Sequence, residues 1–304
     1  MKKIILSLAA VLLVFGVNVS AQQSTGLAGA SYYVRANGND SNAGTSENAP
    51  FATLQKAIDT AVATPVKKIT VIGTLNSSVT IRDSGAEEIL ITGKLNAREH
   101  EKAVLVVLNQ IVLQILGNSK IRLENITLQG KTEANNVISQ GIAINGAEAV
   151  VTLANNTLIT QFASTDGAGV FLRNGKLYMT GNATIAGNIA RSSGGGIYMS
   201  SGTLIMDGNS VIRDNESRST RRIDAGGGGI FLWSGTIELK GNSLITGNKA
   251  RVSGGGIYCA GSLIIGGVPI YEIDENESWS HTFESGNIHG NSAENGPDVY
   301  EMYG

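Results

Sequence analysis

The sequence predicts an all-β fold, a right-handed parallel β-helix solenoid of about eight or nine coils with an N-terminal capping helix. Three observations support this prediction. Glycine and asparagine supply 39 and 26 of the 304 residues, and both tolerate tight corners but form helices poorly. Short stretches alternate apolar and polar residues, which is typical of strands with one buried face. A block of about 27 residues recurs along the second half of the chain.

Composition excludes several other classes of protein. Mean hydropathy is slightly positive at +0.05 and charged residues make up 16% of the chain, whereas disorder requires low hydrophobicity and high net charge. Glycine has no three-residue period, which excludes collagen. A chain of this length buries a large core, so a folded all-β protein remains.

The first residues have the layout of a secretory signal peptide. Lys2 and Lys3 are positively charged, a run of 14 mostly apolar residues occupies Ile4–Val17, and Val19-Ser20-Ala21 is a small-residue cleavage site. The run is too short to span a bilayer comfortably as a helix. We therefore expect residues 1–21 to be removed on export. The mature protein is expected outside the cell or on its outer surface, with the periplasm as an alternative.

The expected mature chain is close to neutral. Without Lys2 and Lys3 it carries 21 basic and 25 acidic residues, which does not favour nucleic acid as a partner. No later segment has about 18 consecutive apolar residues, so no transmembrane helix is expected after the signal peptide. Cys259 is the single cysteine, which excludes an internal disulfide, and its apolar position in the repeat predicts a buried side chain.

The internal repeat is clear over residues 167–304. Each copy opens on a glycine triplet or near-triplet, and successive third glycines are separated by 27, 33 and 27 residues. The six extra residues of the middle step fall within residues 217–224. Looser copies extend the register backwards, so one solenoid over residues 67–304 explains the chain better than two domains. The third glycines are Gly169, Gly196, Gly229 and Gly256.

Within one copy, three short strands are expected. Two pairs of alternating apolar residues and one single apolar residue are expected to point into the core. Asparagines at equal positions of stacked coils are expected to lie about 4.8 Å apart and to hydrogen-bond as a ladder. In the copy that begins at Gly194, the inward residues are Ile197, Met199, Leu204, Met206 and Ile212, and the corner asparagines are Asn209 and Asn215.

Residues 22–66 are expected to form an N-terminal strand and a capping helix. An amphipathic helix after Pro50 covers the open end of the solenoid, where core and strand edges are otherwise exposed. No comparable segment follows Tyr300, so the C-terminal edge is expected to be open or to pair with another chain. The apolar residues at helical spacing are Phe51, Leu54, Ala57, Ile58 and Ala61.

Two features resemble known families. The stretch Tyr32–Ile58, YYVRANGNDSNAGTSENAPFATLQKAI, looks like the opening of secreted right-handed β-helix proteins of the pectin-lyase-like superfamily. The repeats resemble those of bacterial polymorphic outer-membrane proteins and related adhesins, because Gly195-Gly196-Ile197 and Gly255-Gly256-Ile257 match a shortened Gly-Gly-Ala-Ile motif. Their Phe-x-x-Asn motif is replaced by Ile-x-x-Asn at Ile185/Asn188, Ile212/Asn215, Ile245/Asn248 and Ile288/Asn291.

The resemblance implies the β-helix fold and leaves the function open, because the superfamily contains lyases, hydrolases and non-catalytic adhesins. Lyases of this fold place Ca²⁺-binding carboxylates and a basic residue together on one coil face. The nearest candidates here are Asp214, Glu216 and Asp224, beside Arg218. These acids occur singly, so a solvated charged loop explains them better. We expect no catalytic residue, no bound metal and no cofactor, with Ca²⁺ as the metal that the resemblance suggests.

The repeats carry a first candidate binding surface, an aromatic residue at one equivalent position per coil. If these rings point outward, they form a stripe that stacks on sugars or on a partner protein. Alternatively, neighbouring turns cover them and they form a packed ladder. The residues are Phe171, Tyr198, Phe231, Tyr258 and Tyr300.

The second candidate surface is a basic edge on the turn before the glycine triplets. Stacked coils gather these cations along one edge, which suits an anionic glycan or another cell-surface polymer. Glu216 and Asp224 dilute the charge, so an ordinary solvated edge is the alternative. The cationic residues are Arg191, Arg218, Arg221, Arg222, Lys249 and Arg251.

These features predict a secreted, non-catalytic, adhesin-like module that binds a polysaccharide or a cell-surface protein. The alternative function is a polysaccharide lyase or glycosidase. A third hypothesis is a structural spacer that binds no soluble ligand.

Overall fold

The computed structural model describes residues 30–131, 139–220, 225–265, 268–269, 287–296 and 298–301. The predicted signal peptide, residues 1–21, lies outside this part of the chain. None of the helices in the described residues is long and apolar enough to cross a membrane.

The strands are short because a corner interrupts the chain every few residues. A helix α1 (Leu54–Ala63) and a 3₁₀ turn (Glu99–Glu101) accompany them. In chain order, the strands are β1 (Tyr32–Arg35), β2 (Lys68–Ile72), β3 (Thr74–Asn76), β4 (Val79–Ile81), β5 (Ile89–Gly93), β6 (Val104–Val107), β7 (Ile111–Leu116), β8 (Lys120–Glu124), β9 (Thr127–Gly130), β10 (Gln140–Leu153), β11 (Leu158–Thr160), β12 (Ala163–Ser164), β13 (Val170–Met179), β14 (Thr184–Ala186), β15 (Ile189–Ala190), β16 (Ile197–Met199), β17 (Thr203–Met206), β18 (Val211–Arg213), β19 (Glu216–Ser217), β20 (Ile230–Leu232), β21 (Thr236–Leu239), β22 (Leu244–Thr246), β23 (Lys249–Ala250), β24 (Ile257–Cys259), β25 (Ser262–Ile265), β26 (Val268–Pro269), β27 (Ile288–His289) and β28 (Val299–Glu301).

Strands of successive coils pair in parallel and build the four walls of a β-solenoid, which confirms the predicted all-β fold. The first and second walls belong to one 16-stranded sheet and are joined through the long strands β10 and β13, while the third and fourth walls are sheets of 8 and 4 strands. The first wall contains β4, β7, β10, β13, β16, β20, β24 and β28; the second β1, β2, β5, β8, β10, β13, β17, β21 and β25; the third β3, β6, β9, β11, β14, β18, β22 and β27; and the fourth β12, β15, β19 and β23.

The described solenoid has about six complete turns, running from β4 to β22, in which the first, second and third walls follow one another. Partial turns lie at both ends. The prediction of eight or nine coils is therefore too high for complete turns, because it counted these partial turns. At one end, α1 stands between β1 and β2 in place of wall strands, and at the other a long segment separates β25 from β27.

Alternation along the strands places the predicted inward residues in one continuous core. Ile197 pairs in register with Ile230, and both are fully buried. The looser early copies follow the same register, since Val151 pairs with both Ile121 and Leu177. Cys259 is buried as predicted. The hydrophobic effect thus acts on every coil in the same way.

A ladder of buried asparagine amides occupies the corner between the third and fourth walls. Nδ2 of Asn188 donates to Oδ1 of Asn215 at 2.9 Å. Asn215 and Asn248 donate in the same way to the next coil, at 3.0 Å each. Asn291 then donates both its Nδ2 and its backbone N–H to Oδ1 of Asp298, at 2.9 and 3.1 Å. The predicted ladder is confirmed, and it ends on a carboxylate that accepts without needing an acceptor itself.

The third glycine of each repeat lies against the ladder asparagine of its own coil. A Cβ added to Gly196 would lie 2.6 Å from the carbonyl oxygen of Gly229 and 3.0 Å from Nδ2 of Asn215. A Cβ added to Gly229 would lie equally close to Asn248, at 3.0 Å. The repeating glycine and the repeating asparagine are therefore packing partners, because no side chain fits between them.

The predicted N-terminal helix is present as α1. The side chain of Thr53 accepts from the backbone N–H of Lys56 and caps its first turn. The carboxylate of Asp40 accepts from the backbone N–H groups of Ala52 and Thr53, at 2.8 and 2.9 Å. The helix packs against β1, β2, β4 and β5, and its role as a cap stays a prediction. Its buried residues are Leu54, Ala57, Ile58 and Ala61, as predicted.

Replacing Asn215 by alanine should lower the free energy of unfolding by about 3 kcal/mol. The change leaves the backbone N–H and Nδ2 of Asn188 without their acceptor in the interior and removes the donor to Asn248. Urea unfolding followed by circular dichroism measures the change. As a control, Asn242→Ala at an exposed corner should cost less than about 0.5 kcal/mol. Equal losses in both variants would contradict a structural role for the buried ladder.

Candidate functional site

The aromatic residues form one column on the first wall, at positions that pair in register from coil to coil. Neighbouring ring centroids lie 4.8 to 5.1 Å apart. The first three pairs are stacked, with interplanar angles of 13 to 18°, and the last pair is tilted by 33°. We call this column the aromatic ladder. Its rings are Phe171, Tyr198, Phe231, Tyr258 and Tyr300.

The centre of the aromatic ladder is not at the surface. Phe231 and Tyr258 are each 1% exposed, and the other three rings are half-buried. Each ring covers the face of the next, so the ring faces in the middle are already occupied. Of the two interpretations of these aromatics, this geometry favours the packed ladder. The ring centroid of Trp233 lies 6.4 Å from that of Phe231, so this tryptophan extends the stack sideways. Trp233 is 45% exposed.

A half-buried carboxyl group lies close to the aromatic ladder. Oδ1 of Asp166 accepts from the backbone N–H of Ser193 at 3.0 Å. Burial raises the pKa of Asp166 above its ordinary value, because the lost hydration outweighs the hydrogen bonds from Ser193 and Ser192. Burial and the charge of Asp166 also raise the pKa of the Tyr198 phenol. Ionised Asp166 therefore opposes folding at neutral pH.

The basic edge contains three arginines in register. Arg191, Arg218 and Arg251 directly follow β15, β19 and β23 of the fourth wall, and all three are exposed. The backbone N–H of Arg218 donates to the carbonyl of Ala190 at 2.9 Å, and that of Arg251 to the carbonyl of Ser217 at 3.0 Å. These bonds place the arginines one coil apart, at a spacing of about 4.8 Å. The structure thus brings three of the predicted arginines into one row.

The carboxylate of Glu216 lies within the row. Glu216 lies opposite the exposed Lys249 in register and accepts from a guanidinium nitrogen of Arg218 at 2.9 Å. This hydrogen bond raises the pKa of Arg218. Glu216 therefore offsets part of the positive charge that Arg218 and Lys249 bring to this wall. The other predicted residues of this edge, Arg221, Arg222 and Asp224, lie outside the described residues.

Two of the three acids considered for catalysis, Asp214 and Glu216, are paired with arginines. Asp214 is exposed and accepts from the guanidinium of Arg213, and Glu216 accepts from Arg218 as above. Within the described ranges, no cluster of three or more histidine, cysteine or acidic side chains is arranged to hold a metal ion. A carboxylate engaged by a neighbouring guanidinium is a surface ion pair of small energetic weight.

Sequence reasoning missed a cleft of about 540 Å³ on the outer side of the second wall. Tyr178 lines it, between the inward-facing residues Leu177 and Met179. The signal was available, because an aromatic between two inward residues of a strand points outward. The cleft itself could not be predicted, because most of its other lining residues come from different coils.

Comparison with known proteins adds no relative: no protein-family model, curated protein or solved structure matches this chain.

Replacing Phe231 by alanine should lower the free energy of unfolding by about 3 to 5 kcal/mol, because a buried ring and its stacking contacts are lost. Trp233→Ala is the matched control, since it removes a larger aromatic side chain that is nearly half exposed, and it should cost about 1 kcal/mol or less. Urea unfolding of both variants distinguishes a packed ladder from an open stripe. A larger loss for Trp233 would contradict the packed arrangement.

Replacing Asp166 by asparagine should stabilise the protein increasingly as the pH rises from about 4 to neutrality. A carboxyl group whose pKa is raised in the folded state binds more protons there than in the unfolded chain, so the wild type loses stability over that interval. Asparagine keeps an acceptor for Ser193 and does not titrate. Urea unfolding of both proteins across this pH range tests the expectation, which a pH-independent difference would contradict.

Proposed function

We propose that this chain is a secreted, non-catalytic, adhesin-like binding module whose basic edge binds an anionic glycan at the outer cell surface or outside the cell. The row of exposed arginines one coil apart is the observation that carries the proposal. The export-type N-terminal sequence supports it. The resemblance to pectin-lyase-like β-helix proteins and to polymorphic outer-membrane protein repeats supports it as well.

The arginine row suits a polymer because both partners repeat. A guanidinium forms paired hydrogen bonds with a carboxylate or sulfate group, and neighbouring coils present Arg191, Arg218 and Arg251 in the same orientation of the backbone. A polymer with regularly spaced anions engages several arginines at once, and each further contact gains from the first. Lys249 adds a fourth charge to the same face.

The triple variant Arg191→Gln, Arg218→Gln, Arg251→Gln should bind polygalacturonate and heparin about tenfold more weakly, because three exposed charge contacts contribute about 0.5 kcal/mol each. The matched control Lys56→Gln, Arg82→Gln, Arg173→Gln removes the same charge from exposed positions outside the row and should bind like the wild type. Residues 22–304 are used. Elution from immobilised polymers in a salt gradient measures the difference.

Two results would contradict the proposal. Equal losses in the two triple variants would show that only net charge matters, and an unchanged arginine variant would remove the basic edge as the site. The same incubations are read for new reducing or unsaturated sugar ends. Product formation would replace the binding module by the lyase or glycosidase alternative, whereas retention without product is the expected result.

A further inference from the structure

The cleft on the second wall is a groove along the solenoid axis. Its lining crosses successive coils, since Arg122, Thr152, Tyr178 and Ile205 pair in register one after another. The fifth coil contributes Lys240, two residues after the register partner of Ile205. Adjacent coils are about 4.8 Å apart, so the five positions span about 19 Å. This length and the volume of about 540 Å³ suit an oligosaccharide segment rather than a single small molecule.

A second column lies two residues further along each strand. It contains Thr180, Asp207 and Lys240, because the backbone N–H of Asp207 donates to the carbonyl of Met179 and that of Lys240 to the carbonyl of Met206. Thr180, Asp207 and Lys240 line the groove beside Tyr178. The two columns together form a floor with hydroxyl, carboxylate and ammonium groups around one aromatic ring.

An ion pair within one strand lies at each end of the groove. At one end, Nε of Arg122 donates to Oε1 of Glu124 at 2.7 Å, and at the other Nζ of Lys240 lies 3.0 Å from Oε1 of Glu238. Each cation is thus matched by a carboxylate, and Asp207 adds a further negative charge. The groove therefore repels a polyanion, unlike the basic edge, and offers hydrogen-bonding groups to an uncharged ligand.

Tyr178 differs from the rings of the aromatic ladder. It is half-buried, and no aromatic ring of the described residues stacks on it. On the side of Thr180, the preceding coil presents the small buried residues Thr152 and Ala154 beside it, at 8% and 0% exposure. Small buried neighbours leave the ring standing next to a shallow floor, which is an arrangement that admits a flat ligand ring against the aromatic face.

We propose that this groove binds an uncharged saccharide chain, with one sugar ring stacked on Tyr178 and its hydroxyl groups hydrogen-bonded to Asp207 and to the flanking ion pairs. The proposal goes beyond the anionic-polymer function, because it concerns another wall and a ligand without charge. Stacking supplies affinity that tolerates different sugars, and the ring of polar groups selects hydroxyl-rich ligands.

Isothermal titration of residues 22–304 with cellohexaose, mannohexaose, maltohexaose and chitohexaose tests the proposal. At least one of these uncharged probes should bind, and Tyr178→Ala should weaken that binding about tenfold or more. Tyr178→Phe keeps the stacking face and should stay within about twofold of the wild type. Trp233→Ala, which removes an exposed aromatic outside the groove, is the matched control and should bind normally. Thermal unfolding confirms that the variants are folded.

Three results would overturn the proposal: none of the four probes binds, Tyr178→Ala binds as well as the wild type, or Trp233→Ala loses as much affinity as Tyr178→Ala. Saccharide binding at the groove should also persist in about 0.5 M NaCl, where exposed charge interactions are screened. It should remain in the triple arginine variant as well. The experiments therefore distinguish a loss of uncharged-saccharide binding at the groove from a loss of anionic-polymer binding at the basic edge.

Discussion

The buried amide ladder at the corner between the third and fourth walls sets the alignment on which the other surfaces depend. The Oδ1 atoms of Asn215, Asn248 and Asn291 each accept two hydrogen bonds from the preceding coil. A corner without its asparagine therefore leaves two buried donors unsatisfied. All amides point the same way along the axis, and aligned hydrogen bonds polarise one another. Such a directed chain needs a pure acceptor at its end, and Asp298 supplies it.

Strict stacking places equivalent outward positions of successive coils at the same spacing. The chemistry of the side chain at such a position then decides whether it is packed against its neighbours or remains exposed to water. Rings at 4.8 to 5.1 Å cover one another, so the aromatic ladder becomes part of the packed structure at Phe231 and Tyr258. Charged guanidinium groups keep their hydration instead of packing on one another, and Arg191, Arg218 and Arg251 are exposed. One repeat therefore produces both a structural column and a candidate binding column.

The two candidate binding surfaces differ in the sign of their charge and lie on different walls. The basic edge presents three arginines and Lys249 beside Glu216, whereas the Tyr178 groove matches its cations with carboxylates of the same strand. Long-range attraction of an anionic polymer and close packing of an uncharged sugar are thus assigned to separate faces. A solenoid suits this division because each wall carries its own sequence of outward residues.

The sequence by itself determined the parallel β-solenoid, its inward residues, the asparagine ladder and the arginine row, because stacking converts a period in sequence directly into alignment in space. It did not determine the number of complete turns, the burial of Phe231 and Tyr258, the terminal role of Asp298 or the groove around Tyr178. Those features depend on how the side chains at aligned positions cover one another, and on contacts such as that of Asn291 with Asp298, which the period in sequence does not specify. Only the tertiary structure decided them, since it brings such positions together and shows which side chains remain in water.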